Sequence, residues 1–476
     1  MSTSSSVSGR RARPWRNPSP TDLLAILLVL LPMVTAIVLL VRTTINIPLE
    51  DDYQAIARFM TFYAARVGFY HKLTWVLTSQ HNEYKLILLH AVVALQYELT
   101  GHTNYRFLQI LGDLSAPATA ILLWFFLARQ DRPFKQAVWL FIAPCYLFLT
   151  ISYWETLNFA MCGLSTMAII PLALACIICY TSPRPHMEFW GALLLAVTIS
   201  TFVGGFFLAI VLILMRLYQR RYRSALWIVL ITGVLAILYR VHYITDHPHP
   251  LNPAPRLTVF LYPVVFLGAA FTKIWLCALL GLILIATFVA LVVRGWPRRS
   301  PRTFTLALFC VVTGLVVSAG RYPLGLSTAM SSRYSMYALL FVCAEYMAII
   351  EMFVPTKLRG NKRASIAFAL ATILVMAWSL HKQLGAYHIL QMRHRLLATH
   401  LILWERHPDA LVLTPDEPGY MYDPSWTSWR MSCQPILQRE ISAGRYIPPV
   451  TASDELPVRP HSHSTAGIED EQAPAD

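Results

Sequence analysis

Charge is scarce in this sequence. Only 13% of its 476 residues are Asp, Glu, Lys or Arg, while 56% are hydrophobic; soluble domains carry roughly 25% charged residues. The scarcity excludes an ordinary soluble fold. No water-surrounded core hides this much apolar side chain, so lipid must act as its solvent. Polar-region cysteine is lacking too. Of the 8 cysteines, Cys145, Cys162, Cys176, Cys179, Cys277, Cys310 and Cys343 lie in apolar runs, and Cys433 alone lies among polar residues. That excludes a disulfide framework. Cys176 and Cys179 form a C-x-x-C inside an apolar helix, where they read as small hydrophobes. The chain has no internal repeat, no Walker or dinucleotide fingerprint, and no inverted pair of Gly/Pro-broken helices of the kind that marks a secondary transporter.

What is present is a series of apolar runs. Spans are expected at about 23–42, 105–128, 136–153, 158–180, 188–203, 204–218, 224–241, 274–293, 303–319, 335–354 and 364–381, about eleven in all. Residues 86–100 and 257–272 are shorter and read as surface or re-entrant helices. The turn between the fifth and sixth runs falls near Gly204-Gly205. The first run follows Arg10, Arg11, Arg13 and Arg16, is long enough to span, and reads as a retained signal anchor. The net charge of +14 says little until it is divided among the connections. If the spans alternate, one side collects Arg10 to Arg16, Arg129/Arg132/Lys135, Arg184, Arg216/Arg220/Arg221/Arg223, Arg294/Arg298/Arg299/Arg302 and Lys357/Arg359/Lys362/Arg363. Cytoplasmic loops gather Lys and Arg. The expectation is therefore a cytoplasmic segment 1–22, an all-α polytopic unit 23–381 with a first outer loop 43–104, and a non-cytoplasmic tail 382–476. No nucleic-acid partner is expected.

The other side carries the chemistry. Its first loop opens with Glu50-Asp51-Asp52 and continues through an amphipathic stretch, 52–59, headed by an acid. Three adjacent carboxylates suit a solvated loop and a helix cap, or a general base or metal ligand. Like charges at close range raise one another's pKa, which suits a base. Further on stand His81, Glu83 and Lys85. Glu155 sits at the end of a span beside Trp154, either as a polar cap or as a second acid. Arg321 and Arg333 bracket another turn, with Tyr334 adjacent. The planar fork of Arg suits phosphate oxygens, or these cations snorkel to lipid headgroups. His242, Asp246, His247 and His249 are spaced for metal, but Pro248 and Pro250 interleave. Acids and arginines gathered on one side of a membrane are what transfer from a lipid phosphate donor needs.

In these features the chain resembles the C-class (GT-C) membrane glycosyltransferases, a superfamily that includes protein O-mannosyltransferases and the aminoarabinose transferases of lipid A. Glu50-Asp51-Asp52 matches the acidic motif of the first outer loop. Residues 53–79 and 86–100 correspond to the surface helices, and His81-Asn82-Glu83-Tyr84-Lys85 stands where a Lys-containing motif precedes the second span. The chain is also similar to a group of bacterial membrane proteins in Gln80-His81-Asn82-Glu83, Gly320-Arg321 and Ser332-Arg333-Tyr334. It departs from the superfamily in that no prolines follow Lys85, and Glu155 stands where several relatives carry Asp.

The resemblance implies an inverting glycosyltransferase in the bacterial inner membrane, acting on envelope polysaccharide biosynthesis. Its donor would be a polyprenyl-phosphate sugar and its acceptor an envelope glycan or lipid. Asp51 or Asp52 would be the base, Glu50 would tune it or bind metal, and Glu155 would be a second acid. Arg321, Arg333 and Lys85 would hold the donor phosphate; His81, Glu83 and Tyr334 would line the substrate. Some relatives use a divalent metal, although no cage is evident here. The competing classes are a lipid-linked glycan flippase or other transporter, and a non-catalytic partner in an envelope assembly complex.

Overall fold

The computed structural model describes residues 19–49, 51–128, 134–244, 256–357, 362–406, 434–450 and 454. They form an all-helical polytopic membrane protein, with two isolated β-bridges and no strand among the described residues. Eight helices are long and apolar enough to cross a membrane. Three of the expected runs form shorter helices, at Phe134–Phe148, His186–Thr201 and Gly204–Tyr218. Along Pro20–Thr43, Leu23, Leu24, Leu27, Leu30, Leu31, Val34 and Val38 are exposed. Only a lipid surround accounts for a leucine stripe this long on an unpacked face.

Two glycines set close crossings beside the acid-bearing loops. A Cβ on Gly112 would meet the backbone of Gly163 at 2.7 Å, so the second and third of these eight long spans, Tyr105–Leu127 and Ala160–Tyr180, touch main chain to main chain. Both deform nearby: the second breaks at Leu114 and the third is π-helical over Gly163–Met167. A Cβ on Gly205 would strike Ile199 at 2.5 Å. The turn left open by sequence is therefore a tight hairpin through Phe202 and Val203, between His186–Thr201 and Gly204–Tyr218. The final span departs from its expected bounds: Lys362–Arg406 is one helix running past 381. Ser379 and Gln383 donate to the carbonyls of Tyr146 and Leu149, which explains why it stays packed there.

The two ends of the bundle differ chemically. At one, Lys135 pairs with Asp22 at 3.0 Å, Arg216 and Arg221 share Glu188, Arg302 reaches Thr181 and Phe125, and Arg298 meets Tyr218. At the other, the connections expected to carry chemistry come together over a second core. That core holds Ile47, Ile56, Phe59, Met60, Val76, Leu89, Val93, Tyr105 and Leu108, and adds Leu437 and Tyr446 from the tail. The tail helix Gln434–Ser442 lies on this layer, where Thr61 donates to Glu440 at 2.6 Å. The first loop and the tail thus share one end. A membrane-impermeant maleimide should label Lys72→Cys and Val450→Cys from the same side; labelling of one without the other would break this arrangement.

Candidate functional site

The first loop folds as a π-helix, Tyr53–Arg58, running into Phe59–Ala64, where the sequence suggested a plain amphipathic helix. The Asp52 side chain does not cap it. It turns away and accepts from Leu49 N–H at 3.2 Å, Met161 N–H at 2.8 Å and Ala160 N–H at 3.4 Å. The last two are orphan donors at the start of the third span, so Asp52 caps a helix from another part of the chain. Its residue is fully buried. Desolvation pushes the carboxyl up to about 8, against the pull of the three N–H donors.

Asp51 has the opposite surroundings. Its side chain is 46% exposed, and Oδ1 lies 3.7 Å from His81 Nε2. His81 is held by reciprocal backbone bonds with Tyr84, both 2.9 Å, through a turn in which Asn82 takes φ +47°. The Tyr84 ring tilts onto Phe202 at 4.9 Å, and its hydroxyl faces Arg321, with Tyr334 and Glu83 also near that guanidinium. Glu83 presents its carbonyl to the hydroxyls of Tyr239 and Tyr243.

Lys85 is enclosed. It donates to the Val241 carbonyl and lies against the Tyr239 ring, while its backbone N–H donates to the Tyr239 hydroxyl at 2.8 Å. Burial lowers its pKa. In this structure Lys85 ties the first loop to the end of the Tyr222–Arg240 helix and presents no open cation. Arg333 and Glu155 meet each other: Nε lies 3.7 Å from Oε2, and Ser331 bridges them at 3.0 and 2.7 Å. Glu155 is thus the partner of Arg333, whereas Arg321 is bordered chiefly by tyrosines.

Glu50, Asp246, His247 and His249 lie outside the described residues. Among the described residues, no group of three His, Cys, Asp or Glu side chains could hold a metal ion. Sequence reading passed over His90, which stacks on Phe59 at 4.2 Å and which burial pushes down to about 3, leaving it neutral. It also missed Asn46, Ser331 and Tyr239; isolated polar residues give no periodic signal. Strain concentrates at this end. Of five described non-glycine residues with positive φ, four are Asn82, Ile151, Asn158 and His242, and a β-branched residue such as Ile151 persists there only when its surroundings enforce it. No protein-family model matches the chain, and no curated protein matches it.

The adjacent acids should respond differently to the same change. Asn at position 52 places an amide N–H against an N–H donor, so Asp52→Asn should lose about 1–3 kcal/mol, the cost of a buried polar group left unsatisfied. Asp51→Asn should melt like the parent. The folded carboxyl at 52 binds its proton more tightly than the unfolded one, near 3.8. Its stabilisation is therefore complete at low pH and declines as pH rises from about 4 to about 8. Thermal unfolding in detergent should show the parent's advantage over Asp52→Asn shrinking between pH 5 and pH 8.

Proposed function

We propose that this protein is an inverting membrane glycosyltransferase of the GT-C kind. It transfers a sugar from a polyprenyl-phosphate donor to an envelope glycan or lipid acceptor, on the outer side of the bacterial inner membrane. The proposal takes the basic end as cytoplasmic and the layer of acids and arginines as periplasmic. It counts eleven crossings, including the three short helices. The observation that carries it is the placement of a half-exposed acid, Asp51 with His81, in the same layer as Arg321, Tyr84, Tyr334 and the Arg333–Glu155 pair.

In the reaction, an acceptor hydroxyl attacks the anomeric carbon of the sugar and a new C–O bond forms. The bond from that carbon to the phosphate oxygen breaks, and the polyprenyl phosphate leaves with the electron pair. Asp51 takes the hydroxyl proton. Arg321, with Arg333 behind it, balances the charge that develops on the phosphate. Asp52 is closed off by three backbone donors and serves the loop that carries Asp51. A divalent metal, where one binds, would draw on Glu50 and Asp51.

The transporter reading rests on two buried carboxyls within spans, Asp113 and Glu345, each with one oxygen unpartnered among the described residues. Substitution separates the two. Asp51→Asn should reduce sugar transfer by about 10²–10⁴-fold with the protein inserted and abundant by blot. Mass spectrometry of envelope glycolipids should then match that of cells lacking the protein. Wild-type product from Asp51→Asn overturns the transferase reading and moves the transporter ahead. A second series uses the arginines. Arg321→Ala should cost more than Arg333→Ala, because Glu155 already neutralises Arg333. One lost charge-assisted contact is worth about 1.5–3 kcal/mol, and Arg321→Lys should rescue only in part, since a point charge replaces a fork.

A further inference from the structure

The tail is bound into the layer behind the acid loop. Asn46, at the root of that loop, is its hub: its Oδ1 accepts from Tyr105 N–H at 2.7 Å and its Nδ2 donates to the Ile447 carbonyl at 2.9 Å. The Asn46 carbonyl accepts the Tyr446 hydroxyl at 2.7 Å. On the far side of the loop, Thr103 N–H donates to the Arg445 carbonyl at 2.7 Å. The tail keeps its own shape through Glu440, which is 2% exposed and takes both the Arg445 guanidinium and the Thr61 hydroxyl. Between the tail and the acids stands Tyr105. It is buried, with its ring edge-on to Tyr446 at 5.5 Å, and its phenol lies among Asp52, Tyr53, Tyr446 and Glu440. The tail thus touches both roots of the loop and the residue packed behind Asp52.

We infer that the segment 434–447 is a positioning element of the candidate active site: Tyr446 and Glu440, acting through Asn46, Thr61 and Tyr105, set the place of Asp51 against His81. The geometric part stands on the contacts alone; its catalytic consequence rests on the transferase reading. The outer layer is then assembled from both ends of the chain. A tail that merely followed the last span would leave the loop in place when its contacts were weakened. This one should shift Asp51 when a single hydroxyl is removed.

The test uses Asp51→Cys as a probe and Val67→Cys as a control, since Val67 is 87% exposed on the same loop. Both are made in the full-length protein with Cys433→Ser, with and without Tyr446→Phe, and maleimide labelling rates are measured in membranes. Loss of one buried hydrogen bond corresponds to a change of about threefold to tenfold. That change is expected at position 51 and not at position 67. Equal change at both positions means general loosening and overturns the inference, as does no change at either. Glu440→Gln, which keeps the shape and removes the charge, should give the same selective pattern. With undecaprenyl-phosphate glucose or mannose as donor, Tyr446→Phe should lower kcat and leave KM for the donor unchanged. A lowered kcat with an unchanged labelling rate overturns positioning. Selective labelling with no transfer by the parent protein overturns the transferase reading instead and leaves the positioning intact.

Discussion

A helix that begins inside a low-dielectric layer must find acceptors for its first N–H groups, and the third span finds them in Asp52. Much of the outer layer hangs on that bond. The carboxyl comes from the first loop, so capping the span also fixes where the loop begins its π-turn. The Gly112–Gly163 contact then brings the second span against the same place. With the two spans that close, Asp113 accepts from Asn158 N–H at 3.2 Å, and the Asn158 side chain reaches Thr43 at the end of the first span. Three spans and the loop are joined within one small polar knot.

The bilayer explains why the knot is built from backbone donors and short side chains. Water cannot correct an unmet N–H inside a membrane protein, so each must be met by a group already in place. The opposite end solves a different problem. There Arg216 donates to the Tyr180 carbonyl and pairs with Glu188 at 2.9 Å. Arg302 reaches across to the Phe125 carbonyl at 3.2 Å. These cations fasten helix ends to one another, Arg216 from within the packed bundle. One end is therefore a rim of charges that holds the bundle. The other is a packed layer with its own core.

Much of this was legible in the sequence because it followed from solubility and period. Long leucine-rich runs give helices, and positive charge in alternate connections divides the ends. Even the grouping of the acid and arginine loops at one end followed from parity: Glu155 does meet Ser331 and Arg333, and Tyr84 does face Arg321. Roles within the site were less legible. Lys85 reads as an open cation by type, yet it donates a hydrogen bond to a carbonyl at the end of another helix. Glu155 reads as a polar cap or a second acid, and it is balanced by the arginine of a turn distant in sequence. The tail's place was hidden too, because Tyr446 and Glu440 carry no motif. Their partners, Asn46 and Thr61, are some 400 residues away. Such contacts are decided by tertiary packing, which no local pattern records.

The pair Asp51-Asp52 shows how sequence adjacency can join opposite tasks. Successive residues at the head of a helical turn point about 100° apart, so one can face the protein while its neighbour faces out. Asp52 turns inward and meets three N–H groups; Asp51 remains 46% exposed beside His81. The inward acid makes the outward one precise, since the two share a peptide bond and Asp52 is pinned at both oxygens. Repulsion between them adds to this division. The charge on Asp51 is among the influences that raise the Asp52 carboxyl, and the pair avoids two full charges at close range when the buried member holds its proton. A buried acid next to an exposed one is therefore economical: a single turn of chain anchors a span and presents an exposed carboxyl with its position already fixed.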